Sequence, residues 1–140
     1  MSHSPSADRP VVLGLDFGGT KIATAVCDMS GARLASTIVD SLPELGAAAA
    51  LARGLDAAKG LLTELGPATV LQAVGATTFG IPMDDGVRLA PSIPGWETLA
   101  FGRALREAFP DVPVRMGTDV KAAAAAELRW GALAGRDLAL

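Results

Sequence analysis

Residues 11–28 place the tightest limit on the fold. Val11 to Phe17 is an almost unbroken apolar run, Gly18-Gly19 follows it, and Ile22 to Asp28 is a second run of strand-forming residues. Two such runs joined across a glycine pair predict a β-hairpin. Met29-Ser30-Gly31 reads as the next turn, and Arg33 to Val39, rich in Leu, Ile, Val and Thr, predicts a third strand. The chain therefore opens as an antiparallel meander. A long helix is expected from about Glu44 to Leu65, where Leu51, Leu55, Ala58, Leu62 and Leu65 recur at helical spacing and form the face that must pack on the sheet. Gly66-Pro67 stops it, with glycine past the last turn and proline where a helix cannot continue.

A strand that follows a long helix can return parallel to its predecessors, and Val70 to Thr77 is expected to do so. Thr78 to Gly95 carries Pro82, Pro91 and Pro94 among its glycines and predicts a long irregular loop, which in a compact domain usually has a function. A second helix from about Glu97 to Phe109 is closed by Pro110, Pro113 to Gly117 predicts a fifth strand, and a third helix is expected to start at Asp119. The fold class is then α/β: a mixed five-stranded sheet, three antiparallel strands first and strands alternating with helices after. This is the element order of one lobe of the ribonuclease-H-like, actin-like ATPase fold, an analogy of order alone.

With 140 residues, 50% of them hydrophobic and 19% charged, the chain has the composition of one globular domain. Its net charge of −3 gives no electrostatic reason to bind nucleic acid or an anionic membrane. The alanine-rich stretches are interrupted by charges well short of the ~20 residues of a membrane span. Cys27 is the only cysteine, which excludes an intrachain disulfide and suggests a small buried hydrophobe in a reducing compartment. Residues 1–10 are polar and rich in Ser and Pro, lack the apolar core of a secretory signal, and are expected to be a disordered tail. A cytoplasmic location is the expectation.

Asp16-Phe17-Gly18-Gly19-Thr20-Lys21 holds more than a hairpin needs. A glycine turn explains Gly18 and Gly19, but neither the carboxylate before them nor the hydroxyl and ammonium after them. Those groups suit phosphate: Asp16 as an oxygen ligand to a hydrated divalent metal, glycines that expose backbone N–H groups, and Thr20 and Lys21 as donor and point charge. Asp119 is expected at the N-terminus of the third helix. Capping alone would account for it there. It could equally take the proton of a hydroxyl that attacks a phosphoryl group, and the two roles are compatible.

Four segments in order, Asp16 to Lys21, Val74 to Pro82, Leu89 to Glu97 and Thr118 to Ala123, resemble the ROK family of bacterial glucokinases, fructokinases, other hexose and N-acylhexosamine kinases, and sugar-responsive repressors. The resemblance implies an ATP- and Mg²⁺-dependent hexose kinase. Asp16, Gly18, Gly19, Thr20 and Lys21 would form the phosphate loop, with Asp16 holding the metal through water. Gly80, Thr118 and Asp119 would contact sugar, and Asp119 would be the catalytic base. It further implies that residues 11–136 are an N-terminal lobe and that residues 137–140 start the connection to a C-terminal lobe. That lobe would carry a structural zinc cluster, and the parent protein would be a homo-oligomer with hexose and ATP as its partners. A lobe alone is not expected to be an efficient kinase. Four positions depart from the family pattern: Thr118 and Lys121 stand where Asn is usual, Phe79 where Pro is common and Ser92 where Asn is common. The acceptor sugar is left open, and a non-catalytic sugar-sensing protein or regulator is the alternative reading.

Overall fold

The computed structural model describes residues 7–118 and residue 129. Five strands form the main sheet: β1 (Arg9–Phe17), β2 (Lys21–Asp28), β3 (Arg33–Asp40), β4 (Thr69–Thr78) and, last along the chain, β7 (Val114–Thr118). Their spatial order is β3-β2-β1-β4-β7. β1 pairs antiparallel with β2 and β2 antiparallel with β3, whereas β4 runs parallel to both β1 and β7. This is the mixed sheet expected from the sequence. Arg9 and Pro10 pair with Thr69 and Val70, so they belong to β1 rather than to the tail expected over residues 1–10. The third helix expected from Asp119 lies outside the described residues.

The connections from β3 to β4 and from β4 to β7 carry α1 (Ala47–Glu64) and α2 (Phe101–Ala108). Both advance across the sheet in the same direction, so right-handed crossovers place both helices on one face. The pleat shows the consequence. Val11, Leu13, Leu15 and Phe17 are buried together with Ile22, Thr24 and Val26 of β2 and Val74, Ala76 and Thr78 of β4, while the alternating residues Gly14 and Asp16 are exposed on the opposite face. Cys27 also alternates onto that face and is half-buried with a free thiol, not the buried hydrophobe expected.

Both helices are shorter than the periodicity suggested. Pro43–Leu45 forms a 3₁₀ turn, Gly46 follows at φ +86°, and only then does α1 begin. The Ala47 N–H is drawn to the Pro94 carbonyl at 3.0 Å, which ties the helix start to the long loop. The expected second helix likewise breaks into a 3₁₀ turn at Trp96–Thr98 and α2, separated by Leu99 in an extended conformation. The long loop itself contains a two-stranded ribbon, β5 (Ile81–Pro82) with β6 (Val87–Arg88). At the other end, Gly66 closes α1 at φ +92° as expected.

The buried face of α1 is rotated from the leucine stripe toward its small residues, Ala47, Ala50, Leu51, Gly54, Ala58 and Leu61, leaving Leu55, Leu62 and Leu65 partly buried. Gly54 explains the rotation. A Cβ there would lie 2.5 Å from Phe17 Cε1 and 3.2 Å from Ile22 Cγ2, so the helix sits closer to the sheet than any side chain permits. Phe17 cannot retreat, because its ring packs on Phe101 at 5.2 Å and on Trp96 at 5.6 Å. Gly54→Ala is therefore expected to lower stability by about 1–3 kcal/mol, despite alanine's better helix propensity, through overpacking. Urea denaturation of the two proteins checks this, and a stabilised variant would show that the Phe17 ring has room to move.

Candidate functional site

β1, β4 and β7 are parallel and end level with one another. Asp16 is in register with Thr77 and Thr77 with Gly117, while Phe17 aligns with Thr78 and Thr78 with Thr118. The loops after β1 and β4 consequently leave from the edge at which β7 also ends, the usual ligand position in an α/β sheet. Asp16 and Thr118 come to that edge through the strand register, and Gly80 lies two residues past the end of β4. Asp119 lies one residue beyond it, outside the described residues, as does Lys121.

Asp16 presents an exposed carboxylate whose Oδ1 accepts a hydrogen bond from Thr77 Oγ1 at 2.8 Å. Thr77 was not singled out in the sequence. Its role follows from pairing, since only a parallel β1–β4 register brings it opposite Asp16. Among the described residues no three His, Cys, Asp or Glu side chains cluster as a metal cage. One exposed carboxylate suits an ion such as Mg²⁺, which keeps most of its waters and takes its other ligands from phosphate.

The hairpin loop is tied inward through its carbonyls. Ser41, at the exit of β3 and 0% exposed, donates from Oγ to the Gly18 carbonyl at 2.7 Å and from its N–H to the Thr20 carbonyl at 2.8 Å. The Gly18 N–H donates to the Lys21 carbonyl at 2.9 Å. Gly18 therefore does not offer its N–H outward, contrary to the expectation that both glycines do so. Gly19 and Thr20 have no backbone acceptor among the described residues, so their N–H groups are the ones left over. Gly18 has no room for a side chain, since a Cβ would stand 2.7 Å from the Lys21 carbonyl oxygen.

Lys21 is not free in this state. Its Nζ is paired with Asp40 Oδ1, both groups remaining more than half exposed. The hydrogen bond and charge of Lys21 hold the Asp40 carboxyl below the usual carboxylate range.

The long loop closes over this hairpin. Ser92 lies against Gly19, where a Cβ would stand 2.9 Å from Ser92 Cβ. Gly80, at φ +79°, is enclosed by the Arg88 carbonyl and Ala90, and a Cβ would meet that oxygen at 2.6 Å. Two bonds brace the loop: Trp96 Nε1–H donates to Thr78 Oγ1 at 2.9 Å, and Ala90 N–H donates to Glu97 Oε1 at 2.8 Å. The Trp96 ring stacks at 5.1–5.6 Å on Phe79, Phe101 and Phe17, so one aromatic cluster fixes the residue after Asp16 and the residue before Gly80. Farther out, Arg103 and Arg106 both reach Asp85 in the β5–β6 turn.

The sequence model of the ROK family matches residues 12–139. No curated protein matches the chain. Among solved structures, the ROK hexokinase from Thermus thermophilus is 35% identical at a TM-score of 0.70, with 84% of this chain aligned to 38% of that one. A ROK family glucokinase from Streptomyces griseus, solved with glucose and AMPPNP, is 29% identical at a TM-score of 0.70, with 89% of this chain aligned to 38% of that one. A ROK family transcriptional regulator, a homologue of the E. coli MLC protein, aligns at a TM-score of 0.68 over 86% of this chain and 31% of its own. It is 21% identical, a level at which the likeness shows the fold alone. The fold is thus the actin-like one inferred from element order, and the chain spans well under half the length of these structures. Among the described residues no helix is long and apolar enough to cross a membrane.

Proposed function

The chain belongs to the ROK family, and from that premise we propose that it is the N-terminal lobe of a hexose kinase that transfers the γ-phosphoryl group of ATP to a sugar hydroxyl. The observation that carries this reading is the meeting, at one sheet edge, of the Asp16 carboxylate, a loop whose Gly18 and Thr20 carbonyls are tied to Ser41, and the Gly80–Ser92 loop laid against Gly19. The first two suit a metal-bound polyphosphate, and the third supplies a wall for an acceptor. Residues 11–136, with Arg9 and Pro10 added, would form the lobe, and residues 137–140 would enter a second one that completes the nucleotide cleft.

In the proposed reaction the sugar hydroxyl oxygen forms a bond to the γ-phosphorus as the bond to the β,γ-bridging oxygen breaks, and ADP leaves. The hydroxyl proton passes to the Asp119 carboxylate. Asp16 would hold Mg²⁺ through water, and the metal, when bound, neutralises the developing phosphate charge. The Gly19 and Thr20 N–H groups and the Thr20 hydroxyl would meet phosphate oxygens. Lys21 can join them because its pair with Asp40 is exposed and such pairs exchange at little cost. Gly80 and Thr118 would contact the sugar. Phosphoryl transfer depends mainly on positioning and electrostatics, so a weakly basic Asp119 suffices.

The test is ADP release by the full-length protein containing this chain, with Mg²⁺, ATP and a panel of glucose, fructose, mannose and N-acetylated hexosamines. Release that depends on one sugar supports the kinase and identifies its acceptor. Hexose binding without release with any sugar would replace the kinase by a sugar sensor of the same fold.

A further inference from the structure

Ser41 touches none of the groups assigned to substrate, yet it is fully buried and spends both of its donors on the hairpin loop. The structure assigns Ser41 as the positioning residue of the phosphate loop, a role that rests on the kinase reading above. Without ties, the three peptide units from Gly18 to Lys21 could turn either edge toward a ligand, and carbonyl oxygens facing a polyphosphate would repel it. Ser41 removes that freedom. Its hydroxyl takes the Gly18 carbonyl, which shares a peptide unit with the Gly19 N–H, and its N–H takes the Thr20 carbonyl, so the trans peptide between Gly18 and Gly19 is held with the Gly19 N–H directed away from Ser41. The end of β3 thus grips the loop at Gly18 and Thr20, while the exposed Lys21–Asp40 pair beside it remains exchangeable.

The backbone beside Ser41 supports the assignment independently. Leu42 adopts a left-handed conformation at φ +50°, which an L-residue with a bulky side chain rarely takes. Strain of this kind persists only where the surroundings over-determine it, and it collects at functional sites. Here it turns the chain sharply after Ser41, so that β3 can end under the loop while Pro43–Leu45 leads away to α1. A merely structural end to β3 would need no buried hydroxyl directed at a glycine carbonyl 23 residues back in the sequence.

The experiment pairs amide hydrogen exchange with binding, on the full-length protein and its Ser41→Ala variant. In the nucleotide-free wild type the Gly18 and Ser41 amides should be protected, and exchange at random-coil rates would overturn the proposal without any variant. In Ser41→Ala, protection at Gly18 should fall by about tenfold or more. Affinity for the magnesium complex of AMPPNP, measured by calorimetry, should fall about 10- to 100-fold, while affinity for whichever hexose of the panel binds stays within about twofold. Parallel weakening of nucleotide and hexose would reduce Ser41 to a general stability role and sink the assignment, as would unchanged nucleotide affinity. Should the wild type bind neither ligand, the kinase reading fails, and the exchange arm decides Ser41 alone: lost protection at Gly18 sustains its hold on the loop and unchanged protection ends it.

Discussion

Trp96→Ala is expected to lower stability by about 3–5 kcal/mol, a large share of the roughly 5–15 kcal/mol that holds an ordinary domain together. Trp96 is 0% exposed and is among the largest fully buried side chains in the described core. Its ring touches Phe17, Phe79 and Phe101, and none of these rings can collapse into the space it would leave without dragging the end of β1, the start of the long loop or the start of α2. Trp96→Phe separates packing from hydrogen bonding. It keeps most of the aromatic contact but loses the Nε1–H bond to Thr78, for an expected cost of about 1–2 kcal/mol. Thr78 Oγ1 would still donate to the Phe79 carbonyl at 2.9 Å, which keeps that cost low. Guanidinium denaturation of both variants provides the measurement. Equal losses would mean that the indole N–H, not the ring, is the main contribution. Because the same ring backs Phe79 beside Gly80, the alanine variant should also bind hexose more weakly than the phenylalanine variant.

The sheet was legible in the sequence because its signals are local. Apolar runs, glycine turns and a helical period specify the meander and the crossovers, and the five strands of the main sheet begin and end within two residues of those expectations, whereas the β5–β6 ribbon inside the loop expected to be irregular was not foreseen. Helix boundaries were not legible for a tertiary reason. The helices were expected to start near Glu44 and Glu97, but the chain breaks at Gly46 and Leu99, where Ala47 is bonded to Pro94 and Trp96 is drawn into the core. Nor does periodicity reveal that α1 turns Gly54 toward the sheet, because the deciding quantity is the volume of Phe17 on another element. In the site, chemistry-bearing residues such as Asp16, Thr20 and Lys21 could be read from type and spacing. Thr77 and Ser41 could not, since each acquires its partner through strand pairing or loop closure across tens of residues. The outward N–H of Gly18 was a wrong expectation for the same reason: a glycine pair shows that a turn exists and leaves open which amide the turn consumes.

Asp119→Asn is expected to reduce kcat by about 10²- to 10⁴-fold, the usual contribution of a positioned general base, with hexose affinity largely kept. Asp119 itself lies outside the described residues, so the prediction rests on its motif and on the register of the strand before it. β7 carries Gly117 opposite Thr77 and Thr77 opposite Asp16, which brings the end of β7 to the edge where Asp16 and the Gly18–Lys21 loop are found. Asparagine retains the size and one hydrogen-bonding oxygen of the carboxylate but cannot accept the proton, so binding and transfer should separate. Asp16→Asn should behave differently, because it weakens the hold on the metal: its loss should be partly recovered by raising Mg²⁺, whereas that of Asp119→Asn should not. Steady-state kinetics over a Mg²⁺ series with both variants distinguishes them. Full turnover by Asp119→Asn would remove Asp119 from the chemistry and leave it as a helix cap, the role that its residue type alone already explains.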